Sequence, residues 1–540
     1  FGSSWLKSQI CYRISIHVLA HPSPLSIMSS SQSEEVAEEK REKRTIPEVL
    51  EEIGVGLAQV KVTLIAGAVW FADGAELLLI SSVSDAVTDE WHLSSAQRGY
   101  VVSLVFIGVL IGNLISGPLG DNCGRRLPIL ISFACIFIFS FLSAISWGFW
   151  SLSMFRLCVG ASFGIGQPTF QTLTSEVTPA RGRILISGMG TALFAVGEAY
   201  SAFLLVIDDP MLKDLHWRWL LMMGAIPAAI FGLLAYLFLQ NSPLYLACCG
   251  RFEESRVVLT SMRTANSAEN VSVDFRVRGD ELVDANDSSE SETLVQTIKK
   301  QIGTVFGPDL RLTTLIVLTS CFTLNLTFYG CLYAFPQVIK EVKMSATPAA
   351  NLLIGTVWEL LGYVVGIAVA LALKRISVMR LYFAMNVTAI ATFTIGAHAG
   401  SEANWLLQVF VYYGYYGIKF FTSIGFLVVY LYAAEVFPTV VRNSGTAISI
   451  AGGRLASILS PIIYEAVSSA TGSFVVFFTA IGILSALNFL LVGFLPYETA
   501  GMELQDSMET METRPSKASS SDRPFGEAAL RGPGYGATSA

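Results

Sequence analysis

Apolar residues in this chain do not alternate with polar ones. They gather into long runs separated by short polar interruptions. Six runs lie at about 60–83, 98–118, 127–147, 150–174, 184–206 and 218–240, and six more at about 312–335, 349–373, 378–398, 406–431, 445–467 and 472–495. A helix needs about 20 apolar residues to cross ~30 Å of hydrocarbon, so each run predicts one spanning helix. In lipid every backbone N–H and C=O must be bonded inside the segment, which excludes open strands at these positions. The pattern predicts an all-α membrane protein with 12 transmembrane helices in two six-helix halves. It divides the chain into a tail (1–59), a first half (60–240), a polar connection (241–311), a second half (312–495) and a closing tail (496–540).

The polar segments have patterns of their own. Thr45-Ile46-Pro47-Glu48 reads as a capping box with proline in the first turn, and Gly54 as its stop. Residues 251–263 read as a surface helix, and the charged run from Asp274 to Glu292 reads as disordered. The Ser/Gly/Pro-rich end of the closing tail reads the same way. Met28 is the first methionine, and the sequence reads as starting there, without a signal peptide. Basic residues collect in alternate loops: Arg125 and Arg126; Arg181 and Arg183; Lys374, Arg375 and Arg380; and Arg442. The intervening loops are acidic or mixed, with Asp85, Asp89 and Glu90, then Asp208, Asp209 and Asp214. The positive-inside rule then predicts that both termini and the 241–311 connection are cytosolic. The sequons at Asn270 and Asn286 would carry no glycan there.

Composition narrows the class. Charged residues make up 14% of the chain and hydrophobic residues 53%, against about 25% charged in soluble domains. That excludes burial of the apolar surface in one aqueous core. The net charge of −7 sits mostly in the tails and the connection. No basic stripe points to nucleic acid, and no Gly-rich loop ending in Lys-Ser/Thr is present to hold a nucleotide's phosphates. The five histidines are scattered, and the eight cysteines lack metal-ligand spacing and read as reduced thiols. No enzyme, metal or cofactor is predicted.

The loop after the second run reads Gly117-Pro118-Leu119-Gly120-Asp121-Asn122-Cys123-Gly124-Arg125-Arg126. Its glycines permit close helix packing and a sharp turn at Gly124. Asp121 can face a helix N-terminus, and the two arginines suit the headgroup boundary. A contact of this kind can form in one state of a rocking half and break in the other. Between the second and third spans of a six-plus-six chain, this loop resembles the signature of the major facilitator superfamily, with Asn122 where the family usually has arginine. The same E-x-x-P-x-x-x-R segment appears after the fourth run, from Glu176 through Arg181 to Arg183, and after the tenth, from Glu435 to Arg442. That is the mark of an internal repeat. Trp70-Phe71-Ala72-Asp73-Gly74-Ala75-Glu76, His216-Trp217-Arg218-Trp219-Leu220, Pro308-Asp309-Leu310-Arg311 and Pro496-Tyr497-Glu498-Thr499 resemble segments of the SVOP-like and nicotinate-permease-like organic ion transporters. Asn241-Ser242-Pro243-Leu244-Tyr245-Leu246 matches that group's P-E-S-P-R-W-L pattern only in part. Lys374-Arg375 lacks the Asp and Gly of a second signature loop, so the resemblance does not carry symmetric gating to the second half. It implies the major facilitator fold over residues 45–505, with a cytosolic gate at Gly117, Asp121, Gly124, Arg125, Arg126, Glu176, Arg181, Glu435 and Arg442.

Ionisable residues inside apolar runs are costly, about 2.5–3.5 kcal/mol each on insertion scales, and mark candidate sites. These are Asp73, Glu76, Glu198 and Glu359, with Arg156, Lys419 and Arg454. A rise of ~1.5 Å per residue puts Asp73 roughly 20 Å in from the cytosol and Arg156 about 21 Å, which predicts an Asp73–Arg156 contact. Asp73 and Glu76 are candidates for proton coupling, because desolvation lets a carboxylate load and release a proton as access alternates. A structural ion pair is the alternative. Lys419 is placed to hold an anionic solute or pair with Glu359, while Arg454 reads as structural and nearer the cytosol. Gln167 and Gln171, like Asn325 and Tyr329, are one turn apart and can line a cavity or bond neighbouring helices. The aromatics Tyr412, Tyr413, Tyr415, Tyr416, Phe420 and Phe421 can pack on neighbours or line a site.

The resulting expectation is a monomeric carrier in a lipid bilayer of the plasma membrane or a vesicle. It moves a small organic ion by alternating access with protons as partner. A sugar or phosphate carrier of the same fold is the first alternative. Cys321-Phe322-Thr323-Leu324-Asn325 in place of the sugar porters' Q-Q-x-S-G argues against sugar. A non-transporting receptor or vesicle-resident interaction protein on the same scaffold is the second.

Overall fold

The computed structural model describes residues 44–275, 302–342, 344–399 and 405–499. Met28, Asn286, the charged run beyond Phe275 and the tail from residue 500 lie outside the described residues. A short helix α1 (Ile46–Ile53) precedes the first span, which is made of α2 (Leu57–Ala66) and α3 (Ala68–Trp91). The rest of the first half is α4 (Ser95–Cys123), α5 (Arg126–Ala144), α6 (Phe149–Val177), α7 (Arg183–Asp208) and α8 (Trp217–Phe238). Two short helices follow, α9 (Pro243–Cys248) and α10 (Phe252–Ala265). The second half is α11 (Arg311–Glu341), α12 (Pro348–Ala372), α13 (Arg375–Ala399), α14 (Trp405–Glu435), α15 (Thr439–Thr471) and α16 (Val475–Val492). Among the described residues, 12 helices are long and apolar enough to cross a membrane. The fold is the all-α, two-half architecture expected.

Local signals set the helix ends. Glu48 accepts from the Thr45 N–H at 2.8 Å, and Gly54 ends α1 at a φ of 72°. Ser94 caps α4 with Gln97 in return, and Thr347 caps α12 ahead of Pro348. The first span runs past its apolar stretch to Trp91, where His92 turns left-handed at a φ of 51°. Asp85, Asp89 and Glu90 therefore ride on a helix and not on the expected loop. Hydrogen bonding ends a helix, and hydropathy does not.

The two halves repeat one packing scheme. In the first, α3 packs on α7, α4 on α6, and α5 on α8. In the second, α11 packs on α15, α12 on α14, and α13 on α16. The seam between halves is built from α7 against α12, α4 against α15, and α3 against α11. Within the first half the approach is close. A Cβ on Gly108, Gly112, Gly160 or Gly164 would stand 1.9–2.2 Å from a backbone oxygen of the facing helix. The lipid side carries Leu114, Leu233 and Phe494, while Trp147, Trp150 and Trp405 sit exposed at helix starts, as interfacial aromatics do.

The face where α2 begins and α16 ends is called here the terminal face, and the other the opposite face. On the terminal face, Asn266 ties the α10 segment to the first half. Its Oδ1 accepts from Ala58 N–H at 2.9 Å, and its Nδ2 donates to Gly54 O and Gln59 Oε1, each at 2.9 Å.

Candidate functional site

Glu76 lies one turn beyond Asp73 on α3, about 4.5 Å along the axis, and the two share a face. Arg156 on α6 takes Glu76, with Nη1 donating to Oε2 at 2.6 Å and Nε donating to Ser143 Oγ at 3.1 Å. The guanidinium is 0% exposed and Glu76 2%. The Asp73–Arg156 contact expected from depth is thus replaced by Glu76–Arg156. The depth argument tolerates an error of one turn, and one turn is the difference between the two acids.

Asp73 instead accepts from Gln167 Nε2 at 2.7 Å. Gln167 Oε1 in turn accepts from Arg454 Nη2 at 3.3 Å, and Arg454 Nη1 reaches the Tyr329 hydroxyl at 3.5 Å. This chain of polar groups starts on α3 and α6 and ends on α15 and α11, crossing the seam. Arg454, read from sequence as structural and nearer the cytosol, is buried where this chain crosses the seam. The Oδ1 of Asp73 and the Nε of Arg454 are buried without a hydrogen bond. These spare polar atoms belong to opposite sides of the seam. Gln171, the next turn of α6, is exposed. Asn325 is buried. It donates to Tyr430 OH at 2.9 Å and Cys321 O at 2.7 Å, and so bonds helices of its own half.

A second polar group crosses the seam. Lys419 Nζ on α14 donates to Glu198 Oε2 on α7 at 2.6 Å and to Glu359 Oε2 on α12 at 2.9 Å. Between the two polar groups stand aromatic rings. Phe328 packs on Phe194, Tyr329 and Phe426, with centroids 5.5, 5.1 and 4.8 Å away, and Tyr329 meets Phe106 of the first half at 4.8 Å. The α14 aromatics serve packing: Tyr415 meets Phe335 at 4.6 Å, and Tyr416 stacks on Trp358 at 6.2 Å.

The two faces are held differently. On the opposite face, Arg98 of α4 grips Glu465 of α15 with Nε and Nη2 at 2.8 and 2.7 Å, and Asp85 of α3 with Nη1 at 2.7 Å. Lys340 of α11 reaches Asp85 at 2.7 Å, and Tyr333 donates to Glu465. Ala349 N–H bonds Pro210 O at 3.1 Å. All of these but Arg98–Asp85 and Tyr333–Glu465 join one half to the other. Sequence reasoning missed this cluster, although Glu465 is an acid inside an apolar run and the rule applied to Asp73 would have marked it.

On the terminal face, the hydrogen bonds of the gate residues stay within each half, among the described residues. Arg125 donates to Glu176 at 3.0 Å, to Asp121 at 3.1 Å and to Gly120 O at 2.6 Å. Arg375 donates to Glu435 at 3.4 Å and to Ala370 O. Each repeated Glu therefore binds the arginine that opens the third helix of its own half. The second half has this clamp although it lacks the Asp and Gly of the signature loop. Asn241 Oδ1 caps α5 by accepting from Arg126 N–H at 2.9 Å, and Glu498 Oε1 caps α13 by accepting from Arg375 N–H at 2.8 Å. Gly124 turns at a φ of 82°, as its place in the motif requires. A Cβ added to Gly117 would meet nothing within 4 Å, so the close packing expected there is absent in this state. Asp121 is 76% exposed, Arg181 is exposed, and a small cleft opens between Ser116, Asp121, Arg125 and Thr172. Arg442 lies outside the described side chains.

Comparison with known proteins gives consistent neighbours. The family model described as sugar (and other) transporter matches residues 24–511. Organic cation/carnitine transporter 7 of Arabidopsis thaliana is 26% identical over 87% of this chain and 98% of its own. The synaptic vesicle 2-related protein of Xenopus laevis is 26% identical over 86% of this chain and 82% of its own. A D-xylose transporter of Levilactobacillus brevis is 26% identical over 82% of this chain and 93% of its own. Among solved structures, the inward open conformation of the xylose transporter XylE from E. coli superposes with a TM-score of 0.64 at 18% identity, covering 84% of this chain and 99% of that one.

Proposed function

The chain belongs to the sugar (and other) transporter family of the major facilitator superfamily, and on that premise we propose that it carries a small organic ion, coupled to protons, by alternating access. The observation that carries this reading is the buried polar chain Asp73–Gln167–Arg454–Tyr329 across the seam. Buried ionisable groups of this kind mark a proton or solute pathway. Asp73 is the proton-carrying acid in this reading. It holds one hydrogen bond to Gln167 and keeps a second oxygen spare. Arg156 neutralises Glu76 and leaves it a structural pair. The relative named as an organic cation/carnitine transporter supports an organic ion over a sugar. The xylose-transporting relative keeps sugar as the second reading.

The basic terminal-face loops give this face to the cytosol. The bonds between halves at Asp85, Arg98, Lys340 and Glu465 then close the outside, and the protein stands inward-facing. Proteoliposomes given a pH gradient and a panel of labelled organic acids, organic bases, nicotinate and xylose test the proposal. Asp73→Asn should lose accumulation against a gradient and keep solute exchange. Unchanged accumulation in that variant ends the proton role of Asp73, and uptake of xylose alone replaces the organic ion.

The outer closure has its own test. Arg98→Ala removes the residue that holds Glu465 and Asp85 together. Cys331, which is 2% exposed on α11, should then react severalfold faster with a membrane-impermeant maleimide added to the outside of sealed vesicles. Labelling at the wild-type rate would mean that these bonds do not close that side.

A further inference from the structure

We propose that Glu198, Glu359 and Lys419 form a second proton site, separate from Asp73 and Glu76, in which one proton is held between the two carboxylates across the seam. For its place in a cycle this rests on the transport reading above; for binding itself it does not.

The geometry points there in steps. Lys419 touches both acids through one oxygen of each, at 2.6 and 2.9 Å. The other oxygens, Glu198 Oε1 and Glu359 Oε1, are buried with no hydrogen bond. Both acid side chains are 0% exposed and that of Lys419 is 6% exposed. Bound to one ammonium, the two carboxylates are neighbours across the seam. Two ionised acids against one ammonium leave a negative charge where water and counter-ions do not reach.

Among the described residues, Lys419 is the one cation paired with these acids. Phe328 lies with its ring 5.7 Å from Nζ, which supports the ammonium but brings no charge. The titratable neighbours are Tyr363 on α12, Tyr415 on α14 and Cys331 on α11. Phenols and thiols are ordinarily neutral at pH 7. A hard metal ion would call for a cage of six or more oxygens, and this lining is aromatic. A proton shared by two adjacent carboxylates restores neutrality with the atoms present, as it does wherever two acids share one site.

Location gives the proton a consequence. Glu198 belongs to the first half, and Glu359 and Lys419 belong to the second. With the proton bound, the acids attract across α7 and α12. With it lost, they repel, and the seam at that point loosens. The proton count of this site thus sets how firmly the halves are joined.

The test uses the purified full chain and no solute. Infrared difference spectra recorded between mildly acidic and mildly alkaline buffers report the carbonyl stretch of a protonated carboxylic acid. Wild type should hold such a band at neutral pH. Glu198→Gln and Glu359→Gln should each remove one carboxyl's worth of it, because the remaining acid then pairs with Lys419 as a neutral couple. Asp73→Asn should leave that component in place. Circular dichroism confirms folding of each variant. Two results overturn the proposal: an unchanged band in both glutamine variants, or a melting temperature that rises with sodium in wild type and not in Glu198→Gln, which would assign a metal cation instead. Since no transport is measured, a failure here leaves the transport reading standing, and a failure of uptake with the band intact counts against that reading alone.

Discussion

Arg156→Met should destabilise the protein by about 3–5 kcal/mol, the range found when one partner of a buried ion pair is removed. Arg156 is fully buried, and its guanidinium supplies the one ion pair that Glu76 forms among the described residues. Methionine fills much of the volume, so the loss reads the stranded carboxylate and not a cavity. The Glu76 Oε1 atom already lacks a hydrogen bond, and without the arginine the whole carboxylate is left with none. Glu76→Gln combined with Arg156→Met should recover most of the loss, because no charge is then stranded. Thermal melting of the four proteins in one detergent closes the double-mutant cycle. An Arg156→Met protein within about 1 kcal/mol of wild type, the worth of an exposed pair, would show that Glu76 finds water or another cation.

The second large effect is steric. In the α4–α6 contact, a Cβ on Gly160 would stand 1.9 Å from Val105 O, and one on Gly164 2.2 Å from Val109 O. The obstruction is backbone, which no side-chain rotation relieves. Gly160→Val should therefore cost more than the about 1–3 kcal/mol typical of overpacking, and yield of monodisperse protein should collapse. Gly117→Ala is the internal control, with open space around its Cβ and an expected change within about 0.5 kcal/mol. Size-exclusion profiles and melting curves of both variants decide it. A well-folded Gly160→Val protein would mean that α4 and α6 can separate without penalty.

Much of this was legible in the chain. The runs of apolar residues reveal the 12 spans, and the repeated E-x-x-P-x-x-x-R segments reveal two related halves, because both are local properties. The buried charges were also legible as charges, since each interrupts an apolar run. Their partners were not. Which acid meets Arg156 depends on rotation about α3 relative to α6, and a depth in the membrane carries no rotation. The partners of Arg454 were hidden for the same reason: position along α15 says nothing of which face meets Gln167. Arg375 was read as a loop base and not as a gate residue because the second signature loop is missing, yet its spacing from Ala370 matches that of Arg125 from Gly120. Asn241 occupies the position of glutamate in the P-E-S-P-R-W-L pattern, and its side-chain oxygen caps α5.

The opposite-face cluster has a further consequence, in electrical terms. Asp85 and Glu465 face Arg98 and Lys340, two negative groups against two positive. A charge moved through the whole membrane field gains or loses about 2.3 kcal/mol per ~100 mV. When these four part, those lost to one half and those kept by the other balance, with an acid and a base on each side. Opening the opposite face thus displaces almost no net charge, and a resting potential neither assists nor resists it. Any voltage dependence of the working cycle has to originate deeper, where the count of positive and negative groups is unequal.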